Sequence, residues 1–234
     1  MGLFEKKYCD FCGEKIGLLG NRKLADGNMC KDCAKQISPF LTGRKSFTVD
    51  EMKEHLEYRE ENKKRVESFN PTKVIGSDMP IYFDEDKKQW IITGDRKWRD
   101  KNPDVLDYSQ VTGCDLDINE DRREEYRTND QGESVSYVPP RYTYHYDFNM
   151  TIHVNSPWFD RICFRLNSGD IEGRSSGAYS STEADANEIK AMFAGVREES
   201  RKAAAPKQAS RCPNCGATCI PDANGCCEYC GGPM

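Results

Sequence analysis

The chain has 234 residues, 37% of them hydrophobic and 31% charged. A mean hydropathy of −0.82, with no apolar run near the roughly 20 residues that a membrane-spanning helix needs, excludes that architecture. The net charge of −5 is spread unevenly, with 16 basic against 25 acidic residues in 71–200, whereas nucleic-acid binding calls for a concentrated basic face.

The length suits one large domain or two to three small ones. Met1 to Lys7 has none of the apolar stretch of a secretory signal, so the expected location is cytoplasmic. Ten of the twelve cysteines fall in two terminal clusters, with Cys114 and Cys163 between them. Two short cysteine-dense ends around a cysteine-poor middle predict three units, each end too small to build a core unaided. Disulfides could supply the missing stability in an exported protein; in a cytoplasmic one, metal is the better reading.

Cys9, Cys12, Cys30 and Cys33 have the spacing C-x2-C-x17-C-x2-C. Two residues between thiolates let both sulfurs reach one ion, and four complete a closed tetrahedron. Gly13 permits the tight turn after the first pair, and the residues from Ile16 to Asn28 read as a short hairpin. Cys33 leads into Ala34-Lys35-Gln36-Ile37, which reads as a first helical turn. Knuckle, hairpin and a pair at a helix start form the layout of a treble-clef-like finger over residues 1–45. Disulfides and redox dithiols are the competing readings.

The run Cys9-x2-Cys12-Gly13-Glu14-Lys15-Ile16-Gly17-Leu18-Leu19, followed by Lys23-Leu24-x-Asp26-Gly27-x2-Cys30-x2-Cys33, resembles a bacterial domain of unknown function, number 4428. The resemblance covers about residues 8–50. It implies a four-cysteine finger and a bacterial source, and it carries no catalytic role.

Thr48-Val49-Asp50-Glu51 reads as a capping box that opens a helix to about Phe69. Its charge density marks residues 46–70 as a connector. Val49, Met52, Leu56, Val66 and Phe69 can share a stripe that Arg59 and Lys63 interrupt, and His55 reads as solvated or locally bonded.

Residues 71–202 read as strands followed by one helix. Ile81-Tyr82-Phe83 and Trp90-Ile91-Ile92 flank an acidic turn and predict a hairpin. Cys114, Leu116 and Ile118 alternate with Asp115 and Asp117. From Arg141 to Val154, Tyr142, Tyr144, Tyr146, Phe148, Met150, Ile152 and Val154 alternate with polar residues, the period of a long half-buried strand. Ile162, Phe164 and Leu166 should pair with it antiparallel. After a Gly/Ser-rich loop from Ser168 to Ser181, Thr182-Glu183-Ala184-Asp185 caps a predicted helix with Ala186, Ile189, Met192, Phe193 and Val196 on one face. This order resembles a pleckstrin-homology-like barrel with a C-terminal helix; another α+β sandwich or a split barrel also fits. His145 and His153 are roughly 27 Å apart along one strand, too far to share a metal. No P-loop, dinucleotide fingerprint, nucleophile elbow or H-E-x-x-H motif occurs, and no catalytic residue or small-molecule substrate is predicted.

Residues 203–210, rich in alanine and interrupted by Pro206, read as a linker. Beyond it, Cys212, Cys215, Cys227 and Cys230 have the spacing C-x2-C-x11-C-x2-C of a minimal zinc ribbon over 211–234. Cys219 and Cys226 are surplus; Cys226 can replace Cys227, and the vicinal pair Cys226-Cys227 has a redox alternative. The sequence thus predicts an α+β chain with two structural zinc ions flanking a β-rich domain. The expected role is that of a protein-interaction scaffold. Nucleic-acid binding through the ribbon is the alternative, and an enzyme site in the middle domain a further one.

Overall fold

A computed structural model of the chain describes residues 6–204, 210–220 and 225–233, with side chains to 195 and again in the last two stretches. The chain divides into two compact units, 1–195 and 196–234. It is an α+β protein, and among the described residues its strands pair antiparallel.

In the first unit, a hairpin of β1 (Arg22–Lys23) and β2 (Asn28–Met29) is followed by helix α1 (Val49–Ser68). Thr48 caps α1 with the expected box: its hydroxyl accepts the Glu51 N–H, and the Glu51 carboxylate accepts the Thr48 N–H at 2.7 Å. A meander follows, of β3 (Lys73–Ile75), β4 (Ile81–Asp84), β5 (Gln89–Ile92) and β6 (Leu106–Asp107), each paired with the next. The second sheet is built on β10 (Tyr142–Val154). Along one edge β10 pairs with β7 (Val111–Glu124), and it also pairs with β11 (Arg161–Arg165) and β12 (Ile171–Glu172). Between β7 and β10 the chain forms a small ribbon of β8 (Tyr126–Thr128) and β9 (Ser134–Ser136). Helix α2 (Gly177–Ala204) closes the unit with its residues up to 195.

α2 packs across both sheets. Phe193 meets Trp90 of β5 edge-on at 5.0 Å and Phe83 of β4 at 5.6 Å, while Tyr179 meets Tyr146 and Phe148 of β10, each at 5.0 Å. The opposite face of the meander receives the C-terminal end of α1: Ile91 joins Val66, Phe69, Trp98 and Val105 in a second core. Trp90-Ile91-Ile92 is therefore an unbroken apolar run because β5 is covered on both faces.

β10 realises the predicted alternation from Tyr146 to Val154, with Phe148, Met150 and Ile152 fully buried, and its pairing with β11 is antiparallel from Asn149↔Arg165 to His153↔Arg161. Tyr142 and Tyr144 depart from it and are exposed, because β7 and β10 run past the edge of the core. α2 begins at Gly177, earlier than the predicted cap at Thr182; Ser176 Oγ accepts the Tyr179 N–H, and Tyr179 becomes part of the core. Val196, predicted on the apolar face, lies outside the described side chains, as do residues 205–209 of the predicted linker.

α1 differs more. Its buried residues are Met52, His55, Arg59, Asn62 and Val66, a stripe spaced 3-4-3-4 that includes three polar side chains. Arg59 lies within the stripe it was expected to interrupt, and His55 is fully buried rather than solvated. Each has partners supplied by distant chain. Arg59 donates to Asp104 at 2.7 Å, to the Gln36 carbonyl at 3.1 Å and to the Asn102 carbonyl. Asn62 donates to the Pro103 carbonyl and accepts the Val105 N–H. Asp104 also accepts the Ser38 hydroxyl at 2.7 Å, and Ser38 donates its N–H to His55 Nε2 at 3.0 Å. Segment 36–38, α1 and segment 102–105 thus form one buried hydrogen-bonded clasp, as buried polar groups require.

Candidate metal centres

The first cysteine pair sits on a knuckle. The Cys9 N–H donates to the Glu14 carbonyl and the Gly13 N–H to the Cys9 carbonyl, both at 2.9 Å, and Gly13 turns through φ 74°, where a side chain is disfavoured. The β1–β2 hairpin returns the chain so that Cys30 follows buried Met29. Cys30 then donates its N–H to Cys9 Sγ at 3.3 Å, and Cys33 donates its own to Cys30 Sγ at 3.3 Å at the start of a short 3-10 turn, Cys33–Lys35. The four sulfurs lie within 4.8 Å of one another, with Cys9–Cys33 and Cys12–Cys30 both at 3.8 Å. A tetrahedron with metal–sulfur bonds of about 2.3 Å has edges of about 3.8 Å, so this arrangement fits such an ion.

The hairpin also explains Lys23-Leu24-x-Asp26-Gly27. Leu24 is buried with Met29, Leu41 and Met52. The Asp26 carboxylate accepts the Val49 N–H at 2.8 Å, so the finger supplies a capping group to α1. A Cβ on Gly27 would collide with the Val49 side chain and the Asp10 carboxylate. This coupling of finger to helix escaped the reading of the sequence, although Asp-Gly ahead of a capping box was its visible trace.

The second group has two copies of the same knuckle. Cys212 donates to Ala217 and Cys227 to Gly232, both at 2.8 Å, while Gly216 and Gly231 donate back to Cys212 and Cys227. Both glycines have positive φ, 75° and 66°. A two-residue ladder, β13 (Ser210–Arg211) with β14 (Thr218–Cys219), brackets the first knuckle. The sulfurs of Cys212, Cys215, Cys227 and Cys230 lie within 4.8 Å of one another, Cys212–Cys230 and Cys215–Cys227 at 3.6 Å. Cys219 is buried with its sulfur 3.4 Å from that of Cys227.

Thiol electrostatics follow from this crowding. Burial pushes the Cys9 thiol up, but N–H groups of Cys12, Cys30 and Phe11 outweigh it and bring the pKa to about 7. Cys227 is similar: burial opposes ionisation, and N–H groups of Tyr229 and Cys230 lower it to about 6. Cys33 is held well above the ordinary thiol range, first by burial and then by the sulfurs around it. Cys9 thus ionises ahead of Cys33 in the first group, and Cys227 and Cys212 ahead of Cys215 in the second.

The remaining candidates stay apart. Cys114 is half-buried, and burial raises its thiol to about 11; Cys163 is exposed and accepts from the Thr151 hydroxyl. His153 pairs with Asp115 at 2.9 Å, and His145 contacts Thr143 and Asp170. Among the described residues, the two four-cysteine groups are the clusters arranged to hold a metal ion, and no helix is long and apolar enough to cross a membrane.

Residues 7–55 match the family described as a domain of unknown function (DUF4428). That span takes in the first cysteine group and the opening turns of α1, the segment that Asp26 and Gly27 lock together. No curated protein and no solved structure matches the chain.

Proposed function

We propose that Cys9, Cys12, Cys30 and Cys33 hold one structural zinc ion and Cys212, Cys215, Cys227 and Cys230 a second, and that the chain is a cytoplasmic interaction scaffold. The convergence of each four-sulfur group, with edges of 3.6–3.8 Å on N–H-supported knuckles, carries this reading. A closed four-thiolate shell leaves no position for water or substrate, which fits a structural rather than a catalytic ion. Zinc suits it better than harder cations, which prefer oxygen.

The proposed domains are a finger over 1–45, α1 and its flanks over 46–70, a β domain over 71–202, a linker over 203–210 and a ribbon over 211–234. A four-strand meander, a second antiparallel sheet and a closing helix have the order of a pleckstrin-homology-like barrel, a fold used to present binding surfaces. Protein is the favoured class of partner. Residues 211–234 hold one basic residue, Arg211, against Asp222 and Glu228, which does not favour a nucleic-acid phosphate backbone as ligand.

Native mass spectrometry tests the metal assignment: two zinc ions per chain are expected, both lost on denaturation. A metal-free chain, or one short of hydrogen masses through disulfides, would overturn it. Affinity capture with and without residues 203–234, followed by reconstitution with the purified candidate, tests the scaffold role; a chain that enriches no protein specifically would refute that half.

A further inference from the structure

The turn Gly17–Gly20 leaves the first knuckle with its base anchored and its tip bare. Ile16 is buried and donates its N–H to the Lys7 carbonyl at 2.8 Å, and the Gly20 N–H closes the turn on the Gly17 carbonyl at 2.9 Å. Leu18 and Leu19 are thereby held outward at 81% and 89% exposure. Singly exposed leucines need no explanation, but two adjacent ones on a closed turn form an apolar tip.

Cations surround that tip. Lys15 and Lys31 line a depression of about 380 Å³ against the turn, and Arg22 donates to the Leu19 carbonyl from the strand that follows. Asp32, the carboxylate on the same depression, is held by Lys35 at 2.8 Å. Lys15 and Lys31 thus present positive charge beside bare leucine, although the whole chain is acidic.

We infer that this tip docks on an anionic lipid bilayer, with Leu18 and Leu19 entering the interface and Lys15, Lys31 and Arg22 meeting the headgroups. Charge complementarity selects this occupant. A leucine pair alone would also suit a protein groove, whereas apolar tip and cationic collar together match the layered polarity of a negatively charged membrane surface. Lysine and arginine suit the collar because their stems follow apolar surface while their charges stay in the headgroup layer. Two leucines and three charges give a weak, reversible contact, so the finger would localise a scaffold without anchoring it.

The inference rests on the first module being folded around its proposed metal, and zinc content separates the two failures. Full-length protein is sedimented with phosphatidylcholine vesicles, with and without phosphatidylglycerol, at low and high ionic strength. Binding is expected only with the anionic lipid and should weaken with salt. Leu18→Ser and Leu19→Ser should each reduce the partition coefficient about tenfold or more, and Lys15→Glu with Lys31→Glu should abolish the anionic preference. Each variant should retain two zinc ions. No binding to anionic vesicles, equal binding to neutral ones, or binding that survives both serine substitutions in zinc-loaded protein would overturn the inference, as would leucine-dependent binding to a purified protein with none to vesicles.

Discussion

The two four-cysteine groups share their paired spacing and nearly the same sulfur separations, yet the chain around them is built differently. The first is surrounded by an apolar cluster of its own, Leu24, Met29, Leu41 and Met52. Its hairpin also supplies a carboxylate to the N-terminus of α1, and α1 is clasped in turn to segment 102–105. Among the described residues, the buried cluster of the second group consists of Cys212, Cys219 and Cys227. One motif is therefore a fitting within a larger core, while among the described residues of the other the cysteines are the core. The same spacing within each cysteine pair should thus go with two grades of dependence on a bound ion, decided by the apolar and polar chain that each group can recruit.

Removing metal should give the largest effect and the sharpest contrast. Structural zinc supplies apparent folding free energies of about 10–16 kcal/mol in small fingers. Cys227→Ser should therefore abolish amide-exchange protection across 210–220 and 225–233, whereas Cys9→Ser should cost one zinc ion but leave the strands of the β domain protected. Equal collapse of both regions would break the comparison.

Arg59→Ala comes next. It leaves Asp104 buried without its cation, a change that typically costs about 3–5 kcal/mol. Chemical denaturation should show the loss, and because burial already pushes the Asp104 carboxyl up, the variant should recover stability as pH falls and that carboxyl protonates. Loss of less than about 1 kcal/mol would mean that the clasp does not bind finger to β domain.

His55 gives a pH signature of somewhat smaller size. Burial, and then the charge of Arg59, lower its pKa from 6.5 to about 4. The folded state keeps the imidazole neutral while the unfolded chain takes up a proton, so its contribution is complete above about pH 6.5 and is lost as pH falls toward 4. Relative to His55→Gln, the native chain should lose of order 3 kcal/mol across that window. The difference between the two proteins cancels any acid release of the proposed metal, which would affect both alike. An NMR titration that shows His55 protonating near pH 6.5 would contradict the burial.

The smallest effect should fall on the projecting end of β10. Tyr144 is 40% exposed, so Tyr144→Asp should shift stability by no more than about 1 kcal/mol, while Phe148→Asp, four residues along the same face, should unfold the domain. Thermal melts of the two variants test this directly, and equal tolerance would mean that the β10 register is wrong.

What could be read from the sequence was local. Paired cysteines two residues apart, a glycine beside each of three knuckles, the capping box at Thr48 and the period-2 run of β10 are all decided within a few residues by backbone geometry and by alternation across a sheet. The antiparallel pairing of β10 with β11 followed for the same reason, since a short turn joins them. The buried face of α1 was not legible, because its polar members are buried only where partners outside the helix satisfy them: His55 by Ser38, Arg59 by Asp104, Asn62 by Val105. Nothing in the helix itself separates Arg59 from the exposed charges beside it. The exposure of Tyr142 and Tyr144 was equally hidden, since alternation marks a face of a strand but not where the core beneath it stops. Spacing and period by themselves determined the four-cysteine groups and the longest strand; tertiary structure decided which charges go inside, because a buried charge is stable only in the company that the fold brings to it.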